Sequence, residues 1–113
     1  MAFVLKQTAS YLWPVTVEMP ADGGKFEKQT FDAEFRRLNQ SRIEAIMADA
    51  VASQLRDVDV ASEVVVGWKG ITDNGDEVPF SEKSKADLLD MPLVASSVIK
   101  AWMESLAGAK RKN

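Results

Sequence analysis

The stretch Tyr11–Arg37, YLWPVTVEMPADGGKFEKQTFDAEFRR, decides how the rest of the chain is read. Its first part, Tyr11–Met19, is rich in β-branched and aromatic residues and stops at Pro20. Ala21-Asp22-Gly23-Gly24 then supplies the positive-φ positions that a turn needs. In the return segment from Lys25 to Arg37, Phe31, Ala33 and Phe35 fall on one face of a strand, with Lys28, Thr30, Asp32 and Glu34 on the other. That period of two marks a half-buried strand. The expectation is a β-hairpin over about residues 11–37, with Pro14, which has no N–H for a ladder, on a sheet edge or at a bulge.

Beyond the hairpin the period changes. Ile43, Ile46, Met47, Ala50, Val51 and Leu55 recur at helical spacing, which predicts an amphipathic helix over Asn39–Asp57, with Ser41 and Glu44 as a capping box. Arg42, Glu44, Asp49, Ser53 and Arg56 lie off the stripe as a solvated face. Val58–Ile71 is ambiguous: Val64-Val65-Val66 favours strand by propensity, whereas Val60, Val64, Val65 and Trp68 also share a helical face. Gly67 and Gly70 end whichever element it is. Asp73-Asn74-Gly75-Asp76 reads as a turn and Val78-Pro79-Phe80 as extended chain, and Ser81 caps a short helix through Asp90. Pro92 opens a last helix in which Val94, Val98, Ile99, Trp102, Met103 and Leu106 make a broad apolar face and Gly108 suits the end. The fold class expected is α+β: a hairpin region at 1–38 and a helical region of about four helices at 39–109, followed by a basic tail at 110–113.

Composition agrees with one domain and narrows its chemistry. The 113 residues are 46% hydrophobic and 27% charged, ordinary values for a single globular unit. Cysteine and histidine are both absent. Disulfides, thiolate metal sites, cysteine nucleophiles and imidazole bases are therefore excluded. No catalytic, metal-binding or cofactor-binding residues are assigned, and the expectation is a protein that is not an enzyme. No stretch reads as a signal peptide or membrane span, which points to the cytoplasm. The formal charge of −3 argues against nucleic acid as a partner, since such affinity comes from neutralising phosphates. Charge is unevenly spread: residues 61–109 are acidic on balance, and Lys110, Arg111 and Lys112 follow.

The remaining constellations have plainer readings. Asp73-Asn74-Gly75-Asp76-Glu77 places Gly75 where a calcium loop needs an oxygen ligand, so a tight turn is the better account. Gly23-Gly24 lacks the spacing and the lysine of a phosphate loop. Asp57 with Asp59, and Asp87 with Asp90, read as loop and helix surface. Trp13, Trp68 and Trp102 are spread over three elements as core anchors would be; exposed, they would be interface residues instead. Binding or assembly is the class left standing.

The second half carries a resemblance. Val64-Val65-Val66-Gly67-Trp68-Lys69-Gly70-Ile71, Asp73-Asn74-Gly75, Val78-Pro79-Phe80-Ser81, a short acidic helix ending Leu88-Leu89-Asp90-Met91-Pro92, and a longer helix with Trp102 before Lys110-Arg111-Lys112-Asn113 resemble the tail assembly chaperones of long-tailed bacteriophages and prophages. The likeness covers roughly residues 38–113. It implies a helix running to Gly67-Trp68, which tips Val58–Gly67 towards helix. It also implies a job in the host cytoplasm: coating the tape measure protein until tail-tube subunits polymerise around it, and leaving before the virion is complete. Self-association and a longer frameshifted form are further implications. On this reading Trp68, Phe80, Trp102 and Met103 are the candidate partner contacts. Alternatives are a part that stays in the virion, such as a tail-completion or head-tail joining protein, or an acidic inhibitor of a host protein.

Overall fold

The computed structural model describes residues 2–51 and 56–108, without the side chains of Ala50 and Val51. Leu55 and the basic residues 110–112 lie outside the described residues. The fold is α+β. Its elements are β1 (Ser10–Ala21), β2 (Lys25–Arg36), α1 (Gln40–Val51), α2 (Asp57–Val64), β3 (Val65–Lys69), β4 (Thr72–Asp73), β5 (Asp76–Glu77), α3 (Glu82–Leu89) and α4 (Val94–Leu106).

β1 and β2 form the expected hairpin, in register from Ser10 opposite Arg36 to Ala21 opposite Lys25. Gly23 and Gly24 turn the chain with φ of +79° and +75°. Phe31, Ala33 and Phe35 are buried and the residues between them face outward, so the alternation in the sequence is the alternation in space. β3 adds to the far side of β2, giving the order β1-β2-β3 and leaving β1 at an edge. Ala9 accepts from the Arg37 amide at 2.9 Å, which sets the ladder's parity. Odd residues of β1 bond β2, so Pro14 and Pro20 stand where the amide would face the open edge and no ladder bond is lost.

Two expectations about the middle of the chain are corrected. The helical reading of Val58–Gly67 holds only to Val64; Val65–Lys69 leaves it directly as a third strand antiparallel to β2. The helix implied to end at Gly67-Trp68 therefore stops three residues earlier. Opposite the step from Glu34 to Phe35, β3 bulges by one extra residue, Val66, and Gly67 lies under the Glu34 carboxylate, which also accepts from Ser10 Oγ. The second correction concerns α1, whose cap is Asn39 and not Ser41: Asn39 Oδ1 accepts from the Arg42 amide at 2.9 Å.

Downstream, Asn74 and Gly75 adopt φ of +53° and +85° in the two-residue turn joining β4 to β5. Ser81 caps α3 as expected, accepting from the Ser84 amide at 3.0 Å. Pro92 does not open α4 but sits in a turn before it, and Leu93 takes the N-cap position in left-handed conformation, φ +73°. α4 buries Val94, Ala95, Val98, Ala101 and Trp102, and Gly108 with φ +79° follows its end. Because the small alanines share this face, it is rotated away from Met103 and Leu106, which are exposed. α2 and α4 close over the inner face of the sheet around Val15, Phe35, Val64, Val98 and Trp102, each of them 1% exposed or less. Burial of an aliphatic or aromatic side chain of this kind contributes roughly 1.5–3 kcal/mol.

Candidate functional site

The four residues proposed as contacts separate by burial. Trp68 is buried; its indole N–H donates to the Val78 carbonyl at 2.8 Å, and Phe80 meets it edge-on at 5.0 Å. The pair ties the β4–β5 hairpin to β3. Phe80 is half-buried, with the Lys85 ammonium 5.8 Å from its ring centre. Trp102 is 1% exposed in the core, whereas Met103 is 42% exposed. Trp68 and Phe80 come together, and of the four only Met103 is exposed.

Lys85 is a buried cation with a structural task. Its Nζ donates to the carbonyls of Ser62 and Val65 at 2.7 and 3.4 Å and lies 3.3 Å from a Glu82 carboxylate oxygen. Those carbonyls belong to the end of α2, where orphan acceptors and the negative end of the helix dipole favour a cation. An ammonium held this way is a cap, not a nucleophile. Among the described residues no group of three metal-binding side chains converges.

A groove of about 830 Å³ lies where the start of β1, the end of β2, the start of α1 and the end of α4 meet. Tyr11, Trp13, Leu38, Ile43 and Leu106 give it an apolar and aromatic part above the buried Trp102, and Gln7, Thr8, Arg36, Arg37, Asn39 and Ser105 give it a polar part. Tyr11 is its keystone. Its hydroxyl bonds Ser105 Oγ at 2.7 Å, its ring meets Trp13 and Phe35 edge-on, and the Arg37 guanidinium lies 4.8 Å above it. Arg37 also donates to Thr8 Oγ1 at 3.3 Å, which fixes the guanidinium over the ring. Exposed Leu12, also in the lining, extends the apolar surface along the sheet edge. The arrangement suits an apolar side chain carried by an acidic segment.

The sequence names Trp102 as a partner contact, and the structure buries it beneath this groove; Tyr11, Leu12, Arg36, Arg37 and Leu38 are not among the residues it singles out. Two signals pointed at them: Leu12 is apolar on the polar face of its strand, and Arg36-Arg37 is a basic pair at a strand end in an acidic chain. A second, smaller groove of about 190 Å³ lies at the other end of α4, lined by Val17, Met19, Phe31, Ile71, Leu88, Met91 and Val94.

Electrostatics elsewhere are structural. Arg42 on α1 and Glu63 on α2 form a two-pronged pair at 2.6 and 2.7 Å. The hydrogen bonds from Arg42 hold the Glu63 carboxyl below the usual carboxylate range. Arg56, by the same kind of bond, does this for Asp59. Among the described residues no helix is long and apolar enough to cross a membrane. Comparison with protein-family models, with curated proteins and with solved structures finds no match.

Proposed function

We propose that this protein is a non-enzymatic tail assembly chaperone of a long-tailed phage or prophage, working in the cytoplasm of the bacterial host. Its client is the tape measure protein, which it covers while tail-tube subunits are recruited, and it is absent from the finished particle. The observation that carries the reading is the groove of about 830 Å³, lined by Tyr11, Leu12, Trp13 and Leu106 beside Arg36 and Arg37, on a small chain whose second half resembles that family. A long helical client exposes apolar stripes that aggregate unless covered, and a groove of aromatic walls accepts side chains at helical spacing. Exposed Leu12, Met103 and Leu106 at the same end of the molecule widen the surface available. Contacts of this kind must later be displaced, so modest affinity per copy and many copies per client are expected.

Affinity purification of the tagged chain from its source after prophage induction tests the reading. Co-purification of a long helical protein with a tail-tube subunit, reduced by Leu12→Glu with Leu106→Glu, is the expected result. Recovery of the chain as a stoichiometric component of purified virions sinks the chaperone assignment in favour of a structural part.

A further inference from the structure

We infer that the groove of Tyr11, Trp13 and Leu106 selects an acidic amphipathic segment, one that places a carboxylate a single helical turn from an apolar side chain, over a basic segment of the same shape. The inference rests on the client reading for the source of that segment. The client reading leaves the sign of the segment's charge open, and the groove sets it.

In a chain of formal charge −3, the described residues that line this groove include two arginines and no carboxylate. Arg36 and Arg37 are both exposed, and among the described residues neither belongs to an ion pair; the cations that do are Arg42, Arg56, Lys83 and Lys85. Arg36 adds to the positive field on Glu63, but both oxygens of that carboxylate are taken by Arg42. Glu34, two residues before Arg36, accepts from Ser10 Oγ, and Glu44 on α1 and Glu104 on α4 lie outside the lining. The positive charge of the groove is therefore open to a partner.

Arg37 is held ready for a carboxylate. Its guanidinium lies 4.8 Å from the centre of the Tyr11 ring, and its Nε donates to Thr8 Oγ1 at 3.3 Å. Those contacts hold the head group and leave its two terminal amino groups, the end of the fork that grips a carboxylate through parallel hydrogen bonds. Placing the group beforehand removes part of the ordering cost of binding. The apolar part lies close by: the Trp13 and Tyr11 ring centres are 6.4 Å apart, and Leu12 and Leu106 are exposed. Helical side chains three or four residues apart are separated by about 5–6 Å at Cβ. One face of a helix can thus seat an apolar group against Trp13 and Leu106 while a carboxylate one turn on meets Arg37. The chain's own exposed Phe3-Val4-Leu5, which leads into Gln7 and Thr8 of the lining, carries no carboxylate and leaves the arginines unmet. Nucleic acid could stack on the same rings, but an acidic chain opposes phosphate.

The experiment uses the full chain and two helix-forming peptides of about sixteen residues, with leucine at every third or fourth position, identical except that one has glutamate where the other has lysine. The net charge of the chain favours the lysine peptide at long range, so a preference for the glutamate peptide reports the groove. At low salt the glutamate peptide is expected to bind at least about tenfold more tightly, by a ratio that narrows as salt is added. The indole N–H resonance of Trp13 is expected to move while that of Trp68, bonded to Val78 away from the groove, stays in place. Arg36→Gln with Arg37→Gln changes two exposed positions, and an unchanged near-ultraviolet circular dichroism spectrum checks that the fold is kept. In that variant the preference is expected to fall to about twofold or less. Equal binding of the two peptides overturns the inference. So does binding of neither at about 1 mM, a preference that survives the double substitution, a response at Trp68 without one at Trp13, or an oligothymidylate bound more tightly than the glutamate peptide. If the peptides fail while a helical client co-purifies, the chaperone reading stands without this inference. If the preference holds while the chain is found in virions, the inference stands and the chaperone reading falls.

Discussion

The hairpin Ser10–Arg36 and the segment Asp57–Phe80 both contain valine-rich, β-prone sequence, yet they take their structure from different sources. In the hairpin, Val15 and Val17 alternate with polar residues, the turn is written in two glycines, and pairing follows directly from order along the chain. In the second segment three consecutive valines are divided, Val64 ending a helix and Val65 and Val66 beginning a strand. Nothing local makes that cut. The free edge of β2 accepts β3, and Lys85 from α3 reaches back to cap the end of α2. Local pattern thus governs where one face is buried, and distant partners govern where both faces are.

Four measurements bear on this difference. Trp102→Ala strikes the core that both regions share and is expected to cost about 3–5 kcal/mol, read from urea unfolding, with hairpin and helices melting together. A small effect would mean that the two regions do not depend on one core. Lys85→Met keeps the buried stem but removes the donors to Ser62 and Val65. The expected cost is about 1–3 kcal/mol, with amide exchange faster in β3 and the β1–β2 ladder unaffected. Equal loss of protection in both ladders would show that the segment does not lean on its cap.

Acid gives a smaller effect. Glu63 is held below the ordinary carboxylate range by the hydrogen bonds from Arg42, so its stabilisation is fully present above the unfolded value and is lost as pH falls through the lower folded one. The pair is partly exposed, so this contribution is below about 1 kcal/mol and Glu63→Gln removes it, flattening the acid limb of unfolding midpoints taken between neutral pH and about 3. A limb unchanged by the substitution would assign the acid sensitivity elsewhere. Smallest of all, Phe26→Ser near the exposed hairpin tip is expected to shift stability by no more than about 0.5 kcal/mol, because the ring is 63% exposed. A larger loss would show the tip packing against something in solution.

Much of the fold was legible in the chain. The hairpin and its inward face, the Asn74-Gly75 turn, the Ser81 cap and the glycine after α4 all follow from short-range rules that the structure obeys. The cap of α1 was misassigned because Ser41 and Asn39 are both good caps, and backbone geometry chose between them. The groove was less legible. Trp102 was visible as an anchor, but the meeting of Tyr11, Arg37 and Ser105 joins residues up to 94 positions apart, and no window of sequence spans that.

Composition and periodicity alone established an α+β chain without cysteine or histidine chemistry, because alternation, glycine placement and residue chemistry are properties of neighbours in the chain. Tertiary structure decided the third strand, the task of Lys85, the burial of Trp68 and Trp102, and which apolar residues face water. Each of these depends on where a distant partner removes water from a side chain or completes a backbone hydrogen bond, and that is settled only when the layers close.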